Sequence, residues 1–160
     1  MHTTLRLRRL LSLAILVAGL WACLPVLASQ VLLPGAKPSS QQRLSVWGFD
    51  VYDARVWVRP DFSILKYADH SFVLELSYLR SLEGGAIAKR SMEEMRKVGS
   101  VSRDQENNWL KAMQEIFPNV QKGDRLQGLY VPNVGAEFLL NDKLIGRVQD
   151  PLFAQLFFGI

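Results

Sequence analysis

Cysteine, histidine and threonine are nearly missing from this chain of 160 residues. The single cysteine is Cys23, the histidines are His2 and His70, and the threonines are Thr3 and Thr4. Past the first thirty residues there is no thiol, no threonine and one imidazole. That excludes a disulfide framework, a thiolate nucleophile and a cysteine-ligated metal from the body of the chain. One histidine in the polar turn "YADHSF" makes neither a metal centre nor a serine–histidine–aspartate triad, since both need imidazole among set partners. His70 reads as a surface residue. Phosphate-cradling glycine loops, GxGxxG after a strand and HExxH are also missing, so no cofactor and no metal is implied.

A strong charge of one sign is missing too. The whole chain carries +4, but Arg6, Arg8 and Arg9 stand in its opening segment. An uncharged apolar run from Leu10 to Leu24 follows, then Pro25 and Val26-Leu27-Ala28. Basic, apolar and small residues in that order make a secretory signal peptide, with cleavage favoured after Ala28. Two other fates fit the residues. Leu10–Ala28 just spans a bilayer if it stays uncut, and Leu20-Trp21-Ala22-Cys23 loosely matches a lipoprotein signal with Cys23 acylated. Export places residues 29–160 in the periplasm as one domain, with membrane attachment only through an uncleaved or lipidated leader. Without residues 1–28 there are 16 basic residues against 15 acidic, a net charge of +1. The basic balance belongs to the leader and gives no argument for nucleic-acid binding.

What is present is β pattern, then helix, then β again. Ser29–Gln42, with Pro34, Gly35 and Pro38, reads as an extended lead-in. Arg43–Val58 is the first β segment. Its alternation loses phase at Trp47-Gly48-Phe49, which predicts a bulge or bend at Gly48. Beyond it Tyr52, Ala54, Val56 and Val58 share one face, and Val51, Asp53, Arg55 and Trp57 the other. Phe72–Leu79 alternates with Phe72, Leu74, Leu76 and Tyr78 inward. Ala86–Val98 has Ala88, Met92 and Met95 at helical spacing. A second helix starts at a Ser102 cap and carries Trp109, Met113, Ile116 and Phe117. "RLQGLYV", "AEFLL" and "KLIGRV" form a meander with a tight Asn141-Asp142 hairpin. Asp150-Pro151 then opens a final helix as cap and first residue. Segregated strands and helices make this an α+β domain, an antiparallel sheet with helices packed on one face.

Few side chains in this pattern suggest chemistry. Gly84-Gly85 ahead of Lys89-Arg90 could receive an anion at a helix start, but reads better as a flexible helix entry. Glu83, Glu93 and Glu94 interleave with Lys89, Arg90, Arg96 and Lys97 as a solvated helix face. Tyr52 is a phenol on an apolar strand face and needs a hydrogen-bond partner from protein, water or ligand. Asp53 and Arg55, on the opposite face, read as a structural pair along the strand.

The ordered stretches "GFDVYDARVWV", "LELSYLRSLEGGAIAKRSMEEMRKVG", "FPNVQKGDRLQGLYVP" and "LLNDKLIGRVQDPLFAQLFFGI" resemble the chalcone isomerase-like proteins, in their exported bacterial branch. The likeness runs from about Arg43 to the end, and implies a further helical segment beyond Ile160. It also implies an open-faced β-sandwich with a ligand cleft between sheet and helices. The plant enzymes of the family cyclise a chalcone to a flavanone, using a strand threonine, a tyrosine and asparagine at the first long helix, a threonine or serine near the last helix, and an upstream arginine. Here Tyr52 stands where the strand threonine would be, and Leu79–Gly99 holds neither tyrosine nor asparagine. The non-catalytic fatty-acid-binding relatives, which pair a tyrosine there with an arginine, are the better match. Ser39 and Ser40 fall near that arginine's place, and Arg43 is the nearest cation. The resemblance thus implies no catalytic residue and a ligand site at Tyr52, Arg43, Tyr78 and Arg90. A fatty acid or similar apolar molecule is the expected partner. An intramolecular-lyase-type enzyme of unknown substrate, and a structural domain whose cleft is filled by side chains, are the alternatives.

Overall fold

Side-chain alternation along one long strand organises this molecule. The computed structural model describes residues 32–160, so the leader, its cleavage point after Ala28 and Cys23 lie outside the described residues. The strands are β1 (Lys37–Pro38), β2 (Gln42–Val46), β3 (Phe49–Val58), β4 (Phe72–Tyr78), β5 (Arg125–Val131), β6 (Gly135–Leu140) and β7 (Lys143–Val148). The helices are α1 (Gly84–Val98), α2 (Arg103–Ile116) and α3 (Pro151–Phe158), and a 3₁₀ segment covers Ile64–Asp69. All strand pairs are antiparallel, in the order β1-β3-β4-β5-β6-β7, with β2 lying on the same edge of β3 as β1.

The predicted bend at Gly48 is a hairpin turn. Trp47 and Gly48 have φ of 49° and 81°, the left-handed pair that a two-residue turn needs to follow the twist of its strands. The first β segment is therefore two strands, β2 and β3, and the irregularity falls between Leu44 and Ser45. Glycine at 48 supplies one of the two positive φ values without steric cost.

One face of the sheet meets the helices. Phe72, Tyr130, Ala136, Phe138 and Val148 pack against Ala88, Met92 and Met95 of α1, Trp109 and Met113 of α2, and Phe153, Ala154 and Leu156 of α3. The methionines fill the gaps between rings, as a flexible thioether does well. The predicted helix starts are observed. Ser102 forms a capping box with Gln105. Asp150 accepts from the backbone N–H groups of Leu152 and Phe153 at 2.9 and 3.0 Å. Its second carboxylate oxygen accepts from Trp109 Nε1 at 2.8 Å, so the cap of α3 also ties that helix to α2.

The opposite face is mostly polar, with a small apolar corner where Leu33 and Ala36 cover Trp57 and Val73. The expected Asp53–Arg55 pair is replaced by cross-strand partners. Arg43 bonds Asp53, and Arg55 donates to Gln41 at 2.8 Å. Residues directly opposite on paired strands stand closer than i, i+2 neighbours along one strand, so the cross-strand pair wins.

Helix α1 begins closer to the chain than its sequence pattern predicts, at Gly84 rather than Ala86. The Gly84 N–H donates to Asn119 Oδ1 at 3.0 Å, and a methyl group on Gly84 would stand 2.0 Å from the Phe117 carbonyl oxygen. Backbone cannot yield as a side-chain tip can. Gly84→Ala is expected to cost about 1–3 kcal/mol in urea unfolding, the usual range for overpacking. Gly85→Ala, with nothing within 4 Å of the new methyl, should be neutral or mildly stabilising. Equal midpoints for the two variants would show that this contact does not constrain the helix.

Candidate functional site

Register brings two tyrosines together. β3 and β4 pair with Tyr52 opposite Tyr78, so both rings lie on the helix-covered face. The rings meet edge to face, with centroids 6.0 Å apart and planes at 82°. Around them lie Leu76, Leu82, Ile87, Leu126 and Leu140, an apolar group at one end of the sheet–helix layer. Leu82 is held there by its antiparallel bridge to Val120.

The chain has four tyrosines, and they divide into two kinds. Tyr67 donates its hydroxyl to the Gln155 carbonyl at 3.0 Å, and Tyr130 donates to the Ala68 carbonyl at 3.0 Å. Tyr52 and Tyr78 have no hydrogen-bond partner among the described residues. Tyr52 is half-buried and Tyr78 buried, and neither hydroxyl oxygen is among the fully enclosed polar atoms left without a partner, so an acceptor from outside the protein can reach them. Burial pushes the Tyr52 hydroxyl above its ordinary range. Burial, and then the proximity of Tyr52, push Tyr78 higher still. Both are therefore neutral donors at physiological pH. The pair can donate two hydrogen bonds to an acceptor group, but it offers no base.

The two arginines of the expected site lie elsewhere. Arg43 is opposite Asp53 and so shares its face, away from the tyrosines. Its Nε and Nη2 donate to the two Asp53 oxygens at 2.7 and 3.0 Å, and its Nη1 donates to Asp50 at 3.0 Å. The bidentate hydrogen bond holds the Asp53 carboxyl below the usual carboxylate range. Arg90 lies on the exposed side of α1, paired with Glu93 at 3.5 Å and Glu94 at 2.6 Å. The structure thus unites Tyr52 with Tyr78 and leaves Arg43 and Arg90 occupied with carboxylates.

The apolar face of the tyrosines continues out along the β2–β3 hairpin. Leu44 faces Tyr52 and Val46 faces Phe49 across the strand pair, and two residues apart on β2 means one shared face. Arg80 reaches this stretch, its guanidinium carbon 5.7 Å from the centre of the Phe49 ring. The strand pattern Phe72–Leu79 stops one residue short of Arg80, and the bend that turns Arg80 toward Phe49 has no periodic signal. A groove of about 440 Å³ lies instead between α1 and α2, lined by Lys89, Met92, Arg96, Glu106 and Leu110.

These raised tyrosines make stability depend on alkali. The unfolded phenol ionises near 10, while the buried phenol of Tyr78 resists ionisation. Its contribution is fully present below pH 10 and is lost as pH rises from there towards the folded value. Tyr78→Phe should flatten the fall in urea-unfolding free energy above pH 10. Absorbance at 295 nm should show three of the four tyrosines, Tyr52, Tyr78 and Tyr130, ionising late in the folded wild type. A Tyr78→Phe variant with the same alkaline slope as wild type would show that Tyr78 ionises freely.

No family model matches the chain, and no curated protein does. Among solved structures it is similar to the Arabidopsis thaliana fatty-acid binding protein AtFAP1. The two share 10% sequence identity and superpose with a TM-score of 0.57, over 78% of each chain. At that identity the likeness speaks for the architecture. An antiparallel open sheet with helices on one side is common to what the sequence implied and what the structure contains, and the structure gives it seven strands. This chain has the chalcone isomerase-like fold.

Proposed function

We propose that this protein binds a fatty acid, or a similar elongated apolar ligand with a polar head, at the Tyr52–Tyr78 end of the sheet–helix layer, and that it is a carrier rather than a catalyst. The observation that carries the reading is the pair of partnerless hydroxyls set among Leu76, Leu82, Ile87 and Leu126. An acceptor head group satisfies them, and an aliphatic chain suits their surroundings. The fatty-acid binding protein of the same fold supports the choice of ligand class. Against catalysis stands the shortage of reactive groups at the site, which offers two neutral phenols and no base.

The filled-cleft reading also has an observation behind it. Phe157 and Phe158 of α3 contact Phe138 with ring centroids 5.2 and 6.5 Å away, and Phe158 lies 5.4 Å from Phe72. Side chains therefore occupy the far half of the layer. A bound chain enters from the Tyr52 end, between β3 and the start of α1, and displaces Leu82 and Ile87.

Titration calorimetry with a C12–C18 fatty acid tests the proposal. Wild type should bind, and Tyr52→Phe should weaken binding about 10- to 150-fold, the loss of about 1.5–3 kcal/mol expected for one hydrogen bond to a charged head. Asp53→Asn, on the other face, should bind like wild type. Absence of binding by lipid-stripped wild type would favour the filled cleft.

The proposal includes export, on the strength of the basic and apolar opening of the chain. Expressed with its own leader, the protein should be recovered from the periplasm with Ser29 at its N-terminus. Recovery from the cytosol with residues 1–28 attached would refute this.

A further inference from the structure

We infer that Arg80 is the cation that receives the ligand's carboxylate, in place of Arg43 or Arg90. The inference rests on the fatty-acid reading above and names the residue that selects an acid over a neutral lipid.

Three observations place Arg80 at the site. The Leu79 N–H donates to the Val51 carbonyl at 2.9 Å, so the ladder between β3 and β4 runs one residue past the end of β4. The chain bends at Leu79 and Arg80, just beyond that bond, beside the start of β3. The Arg80 guanidinium lies over Phe49, which belongs to the face of Tyr52 through the Val46 and Leu44 pairing. Arg80 also differs from its rivals in what it touches. Arg43 is engaged by Asp50 and Asp53, and Arg90 by Glu93 and Glu94. Arg80 has no carboxylate partner among the described residues, and its side chain is exposed. A guanidinium over a ring makes that contact without spending a hydrogen bond, so its N–H groups remain open to a carboxylate. A carboxylate held by them lies beside Phe49, on the face that Leu44 and Val46 share with Tyr52.

The apolar hairpin adds the rest of the entrance. Phe49 is 64% exposed and Trp47 95%, so the surface leading to Arg80 is one that a hydrocarbon chain wets readily. A head group fixed there directs the chain inward, past Tyr52 and Tyr78.

Competitive displacement of a fluorescent fatty-acid probe by dodecanoate and by dodecanol separates charge recognition from chain recognition. Wild type should prefer dodecanoate. Arg80→Gln should lower dodecanoate affinity about tenfold, a modest figure because the side chain is exposed, and leave dodecanol unchanged. Arg80→Lys should recover part of the preference, and Arg43→Gln should keep all of it. Raising the salt concentration should narrow the wild-type preference, since a rim charge is screened. An unchanged acid-to-alcohol ratio in Arg80→Gln overturns the assignment while the binding site stands. Equal affinity of wild type for acid and alcohol does the same. Failure of wild type to bind either compound overturns both this inference and the reading beneath it. Near-ultraviolet circular dichroism of Arg80→Gln should match wild type, since the side chain's one ring contact is at the surface.

Discussion

The register between β3 and β4 is the constraint on which the rest of this molecule depends. Side chains alternate with a period of two, so a slip of one residue would exchange the faces of a strand. Tyr52 would move to the polar side, and Asp53 would be driven under the helices. Two groups of contacts hold the register from opposite faces. Val56 and Phe72 belong to the core beneath the helices, while Trp57 and Val73 are covered by Leu33 and Ala36 on the other side. Neighbouring residues on each strand are thus committed in opposite directions, and a slip would expose both sets at once. The tyrosine pair follows from this and not from any attraction between the rings, since an edge contact is worth about 0.5–1.5 kcal/mol.

Charge is distributed by the same alternation. On the open face, Arg43 meets Asp53 across β2 and β3, Arg147 meets Glu137 across β6 and β7, and Gln127 donates to Glu75 across β4 and β5 at 2.9 Å. The Gln127–Glu75 bond is buried, while the two exposed ion pairs add at most about 1 kcal/mol each. Their greater effect is on availability. A guanidinium bound by two carboxylates is a poor receptor for a third, so the local pairing that organises the open face also removes Arg43 from competition for a ligand. On α1 the i, i+3 and i, i+4 neighbours do the same to Arg90.

Helix packing leaves the two ends of the sheet–helix layer unequal. At the α3 end, rings of Phe72, Phe138, Phe157 and Phe158 interlock, and Tyr67 and Tyr130 find backbone carbonyls nearby. At the other end α1 begins against the Phe117–Pro118 backbone, and aliphatic side chains of moderate size meet Tyr52 and Tyr78. At the first end the phenol hydroxyls are satisfied by the protein. At the second, the hydroxyls of Tyr52 and Tyr78 have no acceptor among the described residues, which is why the proposed ligand is placed there.

Much of this was legible in the sequence, because it depends on local periodicity and on capping chemistry. The alternation of Phe72–Tyr78, the helical spacing of Met92 and Met95, the Ser102 cap and the Asp150-Pro151 start each follow from a few neighbouring residues, and together they determined an antiparallel sheet with helices on one side. The facing of Tyr52 and Tyr78 to the helices was legible for the same reason. Other features depend on residues far apart in sequence, and only the tertiary structure decided them. Gly48 gave the same loss of phase whether it made a bend within one strand or a turn between two. The β2–β3 register decided that Arg43 faces away from Tyr52, with its partners seven and ten residues distant. The phenol hydroxyls could not be sorted into satisfied and unsatisfied, since the carbonyls that accept from Tyr67 and Tyr130 lie 88 and 62 residues away along the chain. Periodicity assigns a side chain to a face, but only packing assigns it a partner.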